Sequence, residues 1–283
     1  MANESGTVLV IGGGGKVGRR VVARLREKGV EARAASRSGD VRFDWNDPGT
    51  WKPALEGIDR VFITPLDTTP SPTPAFAAEA VAAGVERLVL LSARGADVPG
   101  YYGDGGEGVQ PHLDGERAVR GSGAEWTVLR PGWFMQNFSE GSFVDGVLAG
   151  ELALPAGEDG ASAFVDAEDI AAVAAAALTE DGHAGQEYEL SGPRPLGIAA
   201  ALEEIAAASG RTARYLPVSV EEFTGGLVAQ GVSREEAGLW ASALTPIRTG
   251  ADAAVADGVR RALGRDPRDF AEFARDEAGA WRG

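Results

Sequence analysis

The stretch Val8-Leu-Val-Ile-Gly-Gly-Gly-Gly-Lys-Val-Gly-Arg19 decides the fold. Its first four residues are a short, largely β-branched apolar run, the mark of a strand buried on both faces. Val17, Val21, Val22 and Leu25 then recur at helical spacing, and Gly29 stands where a helix would stop. A glycine-rich turn between such a strand and such a helix is the context a dinucleotide-binding loop requires. Gly13, Gly15 and Gly18 match G-x-G-x-x-G, while Gly12, Gly15 and Gly18 match a looser G-x-x-G-x-x-G, so the register is open. The chemistry is the same either way: glycine admits the tight turn, and backbone N–H groups at a helix N-terminus approach a pyrophosphate. The candidate phosphate loop is Gly12, Gly13, Gly14, Gly15, Lys16, Val17 and Gly18.

Outward from this loop, strands and helices alternate. Ala32–Ser36, Val41–Phe43, Arg60–Ile63, Arg87–Leu91 and Trp126–Arg130 read as further strands. Trp51–Leu55 reads as a brief helix. Thr73-Pro74 reads as an N-cap followed by proline in the first turn of a helix that Gly84 closes. A long loop from Ser92 to Gln110 leads into a helix at His112–Ser122. The order predicts an α/β fold, a Rossmann-type doubly wound parallel sheet. After Pro131, Ala163–Val165 is strand-like, and Asp166 caps a helix running to about Thr179, with Asp169 in capping-box position. Tyr188–Leu190 reads as a last sheet strand; from Ile198 the chain is mainly helical, with a short strand around Tyr215–Val218. The expected division is a Rossmann domain over residues 1–155, to which 163–192 returns, and a smaller, mainly helical C-terminal lobe over 193–283.

About 20 residues past the glycine loop, a chain that holds a ribose diol carries an acidic residue. Here the second strand ends in Ser36, Arg37 and Ser38. An arginine flanked by hydroxyls suits a 2′-phosphate, which points to NADP (NADPH) as cofactor. Asp40 is close enough to be a rival partner for Arg37. Asp44, after the third strand, is placed to accept from an adenine amino group. Thr64, Pro65 and Ser92 end the fourth and fifth strands, where open α/β sheets present ligand contacts.

Composition narrows the partners. Hydrophobic residues make up 44% and charged residues 24%, ordinary for a globular chain. A formal charge of −15 without a Lys/Arg cluster argues against nucleic acid. No apolar run approaches the roughly 18–20 residues that cross a bilayer, and the N-terminus lacks a signal-peptide pattern. The absence of cysteine excludes disulfides and thiolate chemistry and fits a cytoplasmic protein. Histidine occurs only at His112 and His183, and no carboxylate spacing suggests a metal.

Three segments carry a family resemblance: Thr7-Val-Leu-Val-Ile-Gly-Gly-Gly-Gly-Lys-Val-Gly-Arg19, Leu88-Val-Leu-Leu-Ser92 and Glu125-Trp-Thr-Val-Leu-Arg-Pro-Gly-Trp-Phe-Met-Gln-Asn137. With Phe164–Asp169 and Gly264–Phe270, the chain resembles the NmrA-like atypical short-chain dehydrogenase/reductases over nearly its whole length. Within them it looks like the branch of agroclavine-dehydrogenase-type and quinone-reductase-type enzymes. The resemblance implies NADP on the N-terminal lobe and a pocket walled by the segment after Pro131. It leaves the reaction open, because the family includes reductases of quinones, imines and dyes as well as sensors that bind the dinucleotide without turnover.

Short-chain dehydrogenases usually pair a tyrosine acid with a lysine four residues on. That pair is impossible here, because lysine occurs only at Lys16, Lys28 and Lys52. Alcohol oxidation, which needs an activated base, is therefore disfavoured. Quinones and iminium ions are easier hydride acceptors and need no strong acid in the site. His112 is the titratable candidate, at the start of the helix that would carry the missing pair. Tyr101 and Tyr102 could stack on a flat substrate or donate a hydrogen bond. Trp133, Phe134, Met135 and Asn137 would form an apolar, partly aromatic substrate wall with one amide. The sequence thus points to an NADPH-dependent reductase of a flat, apolar, electron-poor small molecule: a quinone, an imine, or a polyketide- or alkaloid-type intermediate. The alternatives are a non-catalytic dinucleotide sensor and a non-redox isomerase or cyclase. The oligomeric state is not legible.

Overall fold

The computed structural model describes residues 6–103 and 108–282. Residues 104–107 of the expected Ser92–Gln110 loop lie outside these residues. Strands β1 (Val8–Ile11), β2 (Ala32–Ser36), β3 (Val41–Arg42), β4 (Arg60–Ile63), β5 (Arg87–Leu91), β6 (Glu125–Pro131) and β9 (Gln186–Leu190) form one sheet. Their order is β3-β2-β1-β4-β5-β6-β9, and each neighbouring pair is parallel. The order reverses direction between β1 and β4, the switch point beside which doubly wound sheets bind ligands.

The run Val8-Leu-Val-Ile11 is apolar throughout because both faces of β1 are covered. Val8 and Val10 belong to one core with α1 (Lys16–Glu27), α7 (Ala167–Thr179) and α12 (Gly258–Leu263). Leu9 and Ile11 point the other way, into a core with α2 (Trp51–Ala54), α3 (Thr73–Ala82) and α4 (Gln110–Gly121). On α1, Val21 and Leu25 are fully buried, each contributing about 1.5–3 kcal/mol by burial.

A third core builds the smaller lobe. It joins α5 (Asn137–Glu140), α6 (Val144–Ala149) and β7 (Glu151–Leu154) to α8 (Ile198–Ser209) and α13 (Phe270–Asp276), through Phe138, Phe143, Phe164, Phe270 and Trp281. β7 pairs with β11 (Arg214–Pro217), and β8 (Ala161–Ser162) pairs with β10 (Leu196–Gly197). Residues 137–162 therefore pack with the C-terminal lobe, although the Rossmann unit is expected to extend to residue 155. α9 (Val220–Ala229), α10 (Arg234–Ala243) and α11 (Thr245–Arg248) complete the lobe. No helix is long and apolar enough to cross a membrane among the described residues.

Three local expectations change. Thr73 is the first helical residue rather than the N-cap, a place Pro72 takes; its buried Oγ1 finds no partner. Asp166 does cap α7, but it accepts from Glu168 N at 2.8 Å, and Asp169 does not complete a capping box. The Asp169 carboxylate instead accepts from Arg268 N at 2.7 Å and pairs with Arg265 at 2.6 Å, while Asp166 pairs with Arg268 at 2.8 Å. Two buried carboxylates thereby tie α7 to the segment before α13. The strand-like run at Ala163–Val165 is displaced: Ala161–Ser162 is the strand, and Val165 forms only an isolated bridge with Phe134.

Candidate active site

The ends of β4, β5 and β6 open into a cavity of about 690 Å³, roofed by α10 from the smaller lobe. Lys16 reaches it from the start of α1, Thr64 and Pro65 from β4, Ser92 from β5, and Trp133, Phe134 and Asn137 from beyond β6. His112, Tyr101 and Tyr102 line the opposite wall. Residues as far apart as Lys16 and Asn137 in sequence thus meet at one sheet edge, as the topology requires.

The glycine loop is built for close approach. Gly12 has φ +74°, a conformation that favours glycine, and a Cβ there would sit 3.0 Å from Thr64 Oγ1. A Cβ on Gly18 would lie 2.1 Å from the Gly12 carbonyl oxygen, and one on Gly13 would lie 2.8 Å from the Ala34 backbone. The loop turn, the strand and the helix are held together at these three glycines, whereas Gly14 faces open space. Gly15 is the N-cap of α1, with no side chain capping the first N–H groups and no acidic residue in the first turn. Those donors are open to an anion.

Beyond the loop, Ser36 Oγ accepts from Ser38 N at 3.3 Å, and Arg37 is exposed. Asp40 does not compete for Arg37, because it pairs with Arg26 at 2.7 Å. Asp44 Oδ1 accepts from Asn46 N at 2.9 Å and so closes a local turn.

At the cavity floor, the Ser92 hydroxyl donates to Glu116 Oε1 at 2.6 Å. Glu116, fully buried on α4, also takes a two-pronged contact from Arg130, at 2.8 and 2.7 Å, and one from Arg120 at 2.8 Å. Burial alone would push the Glu116 carboxyl up, but the Arg130 and Ser92 donors hold it below the ordinary carboxylate range. Glu116 lies one turn after His112 on α4. Burial draws His112 below the usual histidine value, against the pull of Asp67 and Glu116. His112 Nε2 is 3.3 Å from Asp67 Oδ1, and its buried Nδ1 has no protein partner.

Both tyrosine hydroxyls are committed as donors. Tyr101 donates to Asp252 Oδ1 at 2.8 Å, and Tyr102 to the Arg94 carbonyl at 2.7 Å. Burial and the Asp252 carboxylate raise both far above the ordinary tyrosine value. They present rings to the cavity, and their protons are not available to a substrate. Trp133 stacks on Phe143 with centroids 5.5 Å apart and donates from Nε1 to Ala243 O at 3.2 Å. Asn137 Oδ1 accepts from Lys16 Nζ at 2.9 Å. Met135 departs from the expected substrate wall: it is buried in the lobe core, its N–H bonded to Val165 O at the turn after the Phe134 bridge, and it does not line the cavity. Sequence reasoning missed Asp67, Arg94, Glu116, Glu236, Trp240 and Asp252. Only Glu116 had a signal, since Arg130 inside the largely buried strand Glu125–Pro131 demands a carboxylate partner.

Residues 12–181 match the family described as NAD(P)H-binding. The chain belongs to this family, in its NmrA-like branch of atypical short-chain dehydrogenase/reductases. It is 34% identical to the NAD(P)H azoreductase of Xenophilus azovorans, covering 97% of this chain and 99% of that protein. It is 30% identical to the agroclavine dehydrogenase of Claviceps fusiformis, covering 97% and 98%. Among solved structures, the NADPH complex of the quinone oxidoreductase QOR2 of Escherichia coli superposes with a TM-score of 0.78 at 23% identity, covering 95% of this chain and 99% of that one. That likeness supports the fold: a seven-strand parallel sheet with a mainly helical C-terminal part.

Proposed function

We propose that the protein is an NADPH-dependent reductase of a flat, largely apolar, electron-poor small molecule. The observation that carries this reading is the cavity itself. It joins the phosphate loop to an aromatic wall, and both nearby tyrosine protons are already spent. The residues fit the cofactor: three glycines leave no room for side chains, the α1 donors are uncapped, and the buried Thr64 Oγ1 beside Gly12 lacks a protein partner. When bound, the nicotinamide supplies a hydride. Gly12–Gly18 would hold the pyrophosphate, Ser36, Arg37 and Ser38 the 2′-phosphate, Asp44 the adenine, and Thr64, Pro65, Ser92 and Lys16 the inner end. Trp133 and Phe134 would orient a flat acceptor, with the Asn137 amide beside them. His112, kept neutral at neutral pH by burial, would donate a hydrogen bond to an acceptor oxygen. The test is loss of NADPH absorbance with a panel of quinones and cyclic imines. Tight NADPH binding with no turnover on any of them would favour a sensor instead.

Two predictions follow from the geometry. Tyr101→Phe and Tyr102→Phe should each keep quinone reduction within about threefold, and His112→Ala should slow it at least about tenfold. A tyrosine variant falling into the 10²–10⁴-fold range typical of a positioned acid–base group would sink the proposed roles. At the adenosine end, Arg37→Ala should weaken NADPH binding at least about tenfold and leave NADH nearly unaffected, since one charge-assisted hydrogen bond contributes about 1.5–3 kcal/mol. Among the described residues no carboxylate pairs with Arg37, so its guanidinium is free to meet a phosphate. Equal losses for both cofactors, read by calorimetry, would reduce Arg37 to a surface charge.

A further inference from the structure

Among the described residues, one cation of the cavity wall stands without a carboxylate partner. Arg94 is not that cation: it lies 3.5 Å from Glu189 and 3.6 Å from Asp252, and it donates to Ala254 O at 2.7 Å. Lys16 also lines the cavity, and no carboxylate oxygen of the described residues comes within the 4.0 Å ion-pair distance of its Nζ. Glu140, whose field reaches Lys16, is bonded to Arg19 and Arg20 instead. The side chain that does meet the ammonium is neutral: Asn137 Oδ1 accepts from Nζ at 2.9 Å.

The Asn137 tether fixes where the charge sits. Lys16 begins α1, and its side chain crosses from the glycine loop to α5 of the smaller lobe. A Cβ on Gly141, just past α5, would lie 2.5 Å from Nζ, so the bare backbone there makes the room that the ammonium occupies. Asn137 is buried and follows Trp133 and Phe134, so Nζ stands at the amide end of the aromatic wall. An ammonium carries three donors, and Asn137 takes one of them. Burial draws the Lys16 pKa below the ordinary lysine value; Arg19 and Arg20 act in the same sense, and Glu140 acts against them. Its proton is therefore easier to give up than that of a solvated lysine.

We infer that Lys16 is a catalytic residue: its ammonium, aimed by Asn137, meets the acceptor oxygen on which negative charge builds and gives that oxygen its proton. The role rests on the reductase reading and names a residue that carries its chemistry. Hydride from NADPH adds to a carbon of the acceptor, and the conjugated π pair moves onto the acceptor oxygen. One N–H bond of Lys16 breaks as the O–H bond forms. NADP⁺ and a neutral lysine amine remain, and water returns the proton to the amine. The sum is NADPH, acceptor and one proton giving NADP⁺ and the reduced acceptor. Both tyrosine protons are committed elsewhere, and His112 offers a neutral hydrogen bond. A charged donor such as Lys16 makes a bond roughly twice as strong as a neutral one.

The chain has no cysteine, so Lys16→Cys can be alkylated at that position alone with 2-bromoethylamine, which restores a side chain of lysine's length and charge. With menadione and saturating NADPH, Lys16→Met and unmodified Lys16→Cys should each lose at least about 20-fold in kcat. That is less than the roughly 10²–10³ of an oxyanion donor in a dry site, because Lys16 is only half-buried. Alkylation should bring kcat back to within about threefold of wild type, and NADPH affinity, read by calorimetry, should change by less than about fivefold in Lys16→Met. A second readout needs no turnover. 4-Nitrophenol bound to the NADP⁺-loaded protein is titrated by the absorbance of its phenolate, an oxyanion on a planar ring. It should ionise at lower pH in wild type than in Lys16→Met, by at least about one pH unit, a tenfold change in acidity. Unchanged kcat in Lys16→Met, with the same phenol ionisation in both proteins, overturns the inference and leaves the reductase reading intact. A loss confined to NADPH affinity also overturns it, since the ammonium would then serve the cofactor's phosphates. If the wild type reduces no acceptor, the reductase reading fails, and the phenol titration decides whether Lys16 holds an oxyanion in the cavity.

Discussion

Replacing Glu116 by alanine is expected to destabilise the protein by about 3–5 kcal/mol, the range found when one partner of a buried ion pair is removed. Glu116 is fully buried and accepts from Ser92, Arg120 and both prongs of Arg130, whose own side chain is only 8% exposed. Deleting the carboxylate leaves a guanidinium without its countercharge between β6 and α4, and leaves the Ser92 hydroxyl without its acceptor. Asp97, at 2.9 Å, and Glu187, at 3.6 Å, also face Arg130, but both are partly exposed and screened, so neither replaces the buried carboxylate. The depressed carboxyl pKa agrees in sign: the folded state favours the charged form, so this stabilisation holds at neutral pH and is lost as pH falls through the folded value. Equilibrium urea unfolding of the variant measures the loss directly. Removing Arg130 as well, as Glu116→Ala with Arg130→Met, should recover part of it, because no uncompensated charge remains. A single-variant loss below about 1 kcal/mol would mean that water from the adjoining cavity solvates Arg130.

The parts of this molecule that were legible in the sequence are those set by local chemistry. β1, β4 and β5 fall on the expected residues, because each is a short, mainly apolar or β-branched run cut off by turn residues. The glycine turn at Gly12–Gly15 was legible because it lies within one strand–turn–helix unit. The rest of the cavity wall was not, because Asp67, Arg94, Trp240 and Asp252 come from separate segments brought together only by tertiary packing. The run Trp133-Phe-Met135 shows the same limit at close range. All three residues are apolar, and only the turn after the Phe134–Val165 bridge decides that Met135 enters the core while Trp133 and Phe134 reach the cavity. Tyr101 could not be read as a spent donor until Asp252, 151 residues away, was seen to take its proton.

Gly15→Asp is expected to weaken NADPH binding at least about 100-fold while leaving the fold intact. Gly15 sits at the N-cap with φ −78° and ψ 174°, extended backbone that any residue adopts. A Cβ there meets only the Gly12 carbonyl oxygen, at 3.2 Å, a tight contact that a shift of a few tenths of an ångström relieves. Aspartate is also a preferred N-cap, and its charge is favourable at a helix N-terminus. Its carboxylate would accept from the N–H of Val17 or Gly18, the same donors a pyrophosphate needs. The ligand would lose one or two charge-assisted hydrogen bonds, at about 1.5–3 kcal/mol each, and face a like charge. Together these losses correspond to roughly 10²–10⁴ in affinity. Gly18→Asp cannot serve for this purpose, since its Cβ would lie 2.1 Å from the Gly12 oxygen and would disrupt the loop itself. The discriminating result is an unchanged or slightly raised melting temperature for the apo Gly15→Asp protein, together with loss of the NADPH-induced upward shift seen in the wild type. Binding within about tenfold of wild type, measured by calorimetry, would show that the dinucleotide does not use this loop.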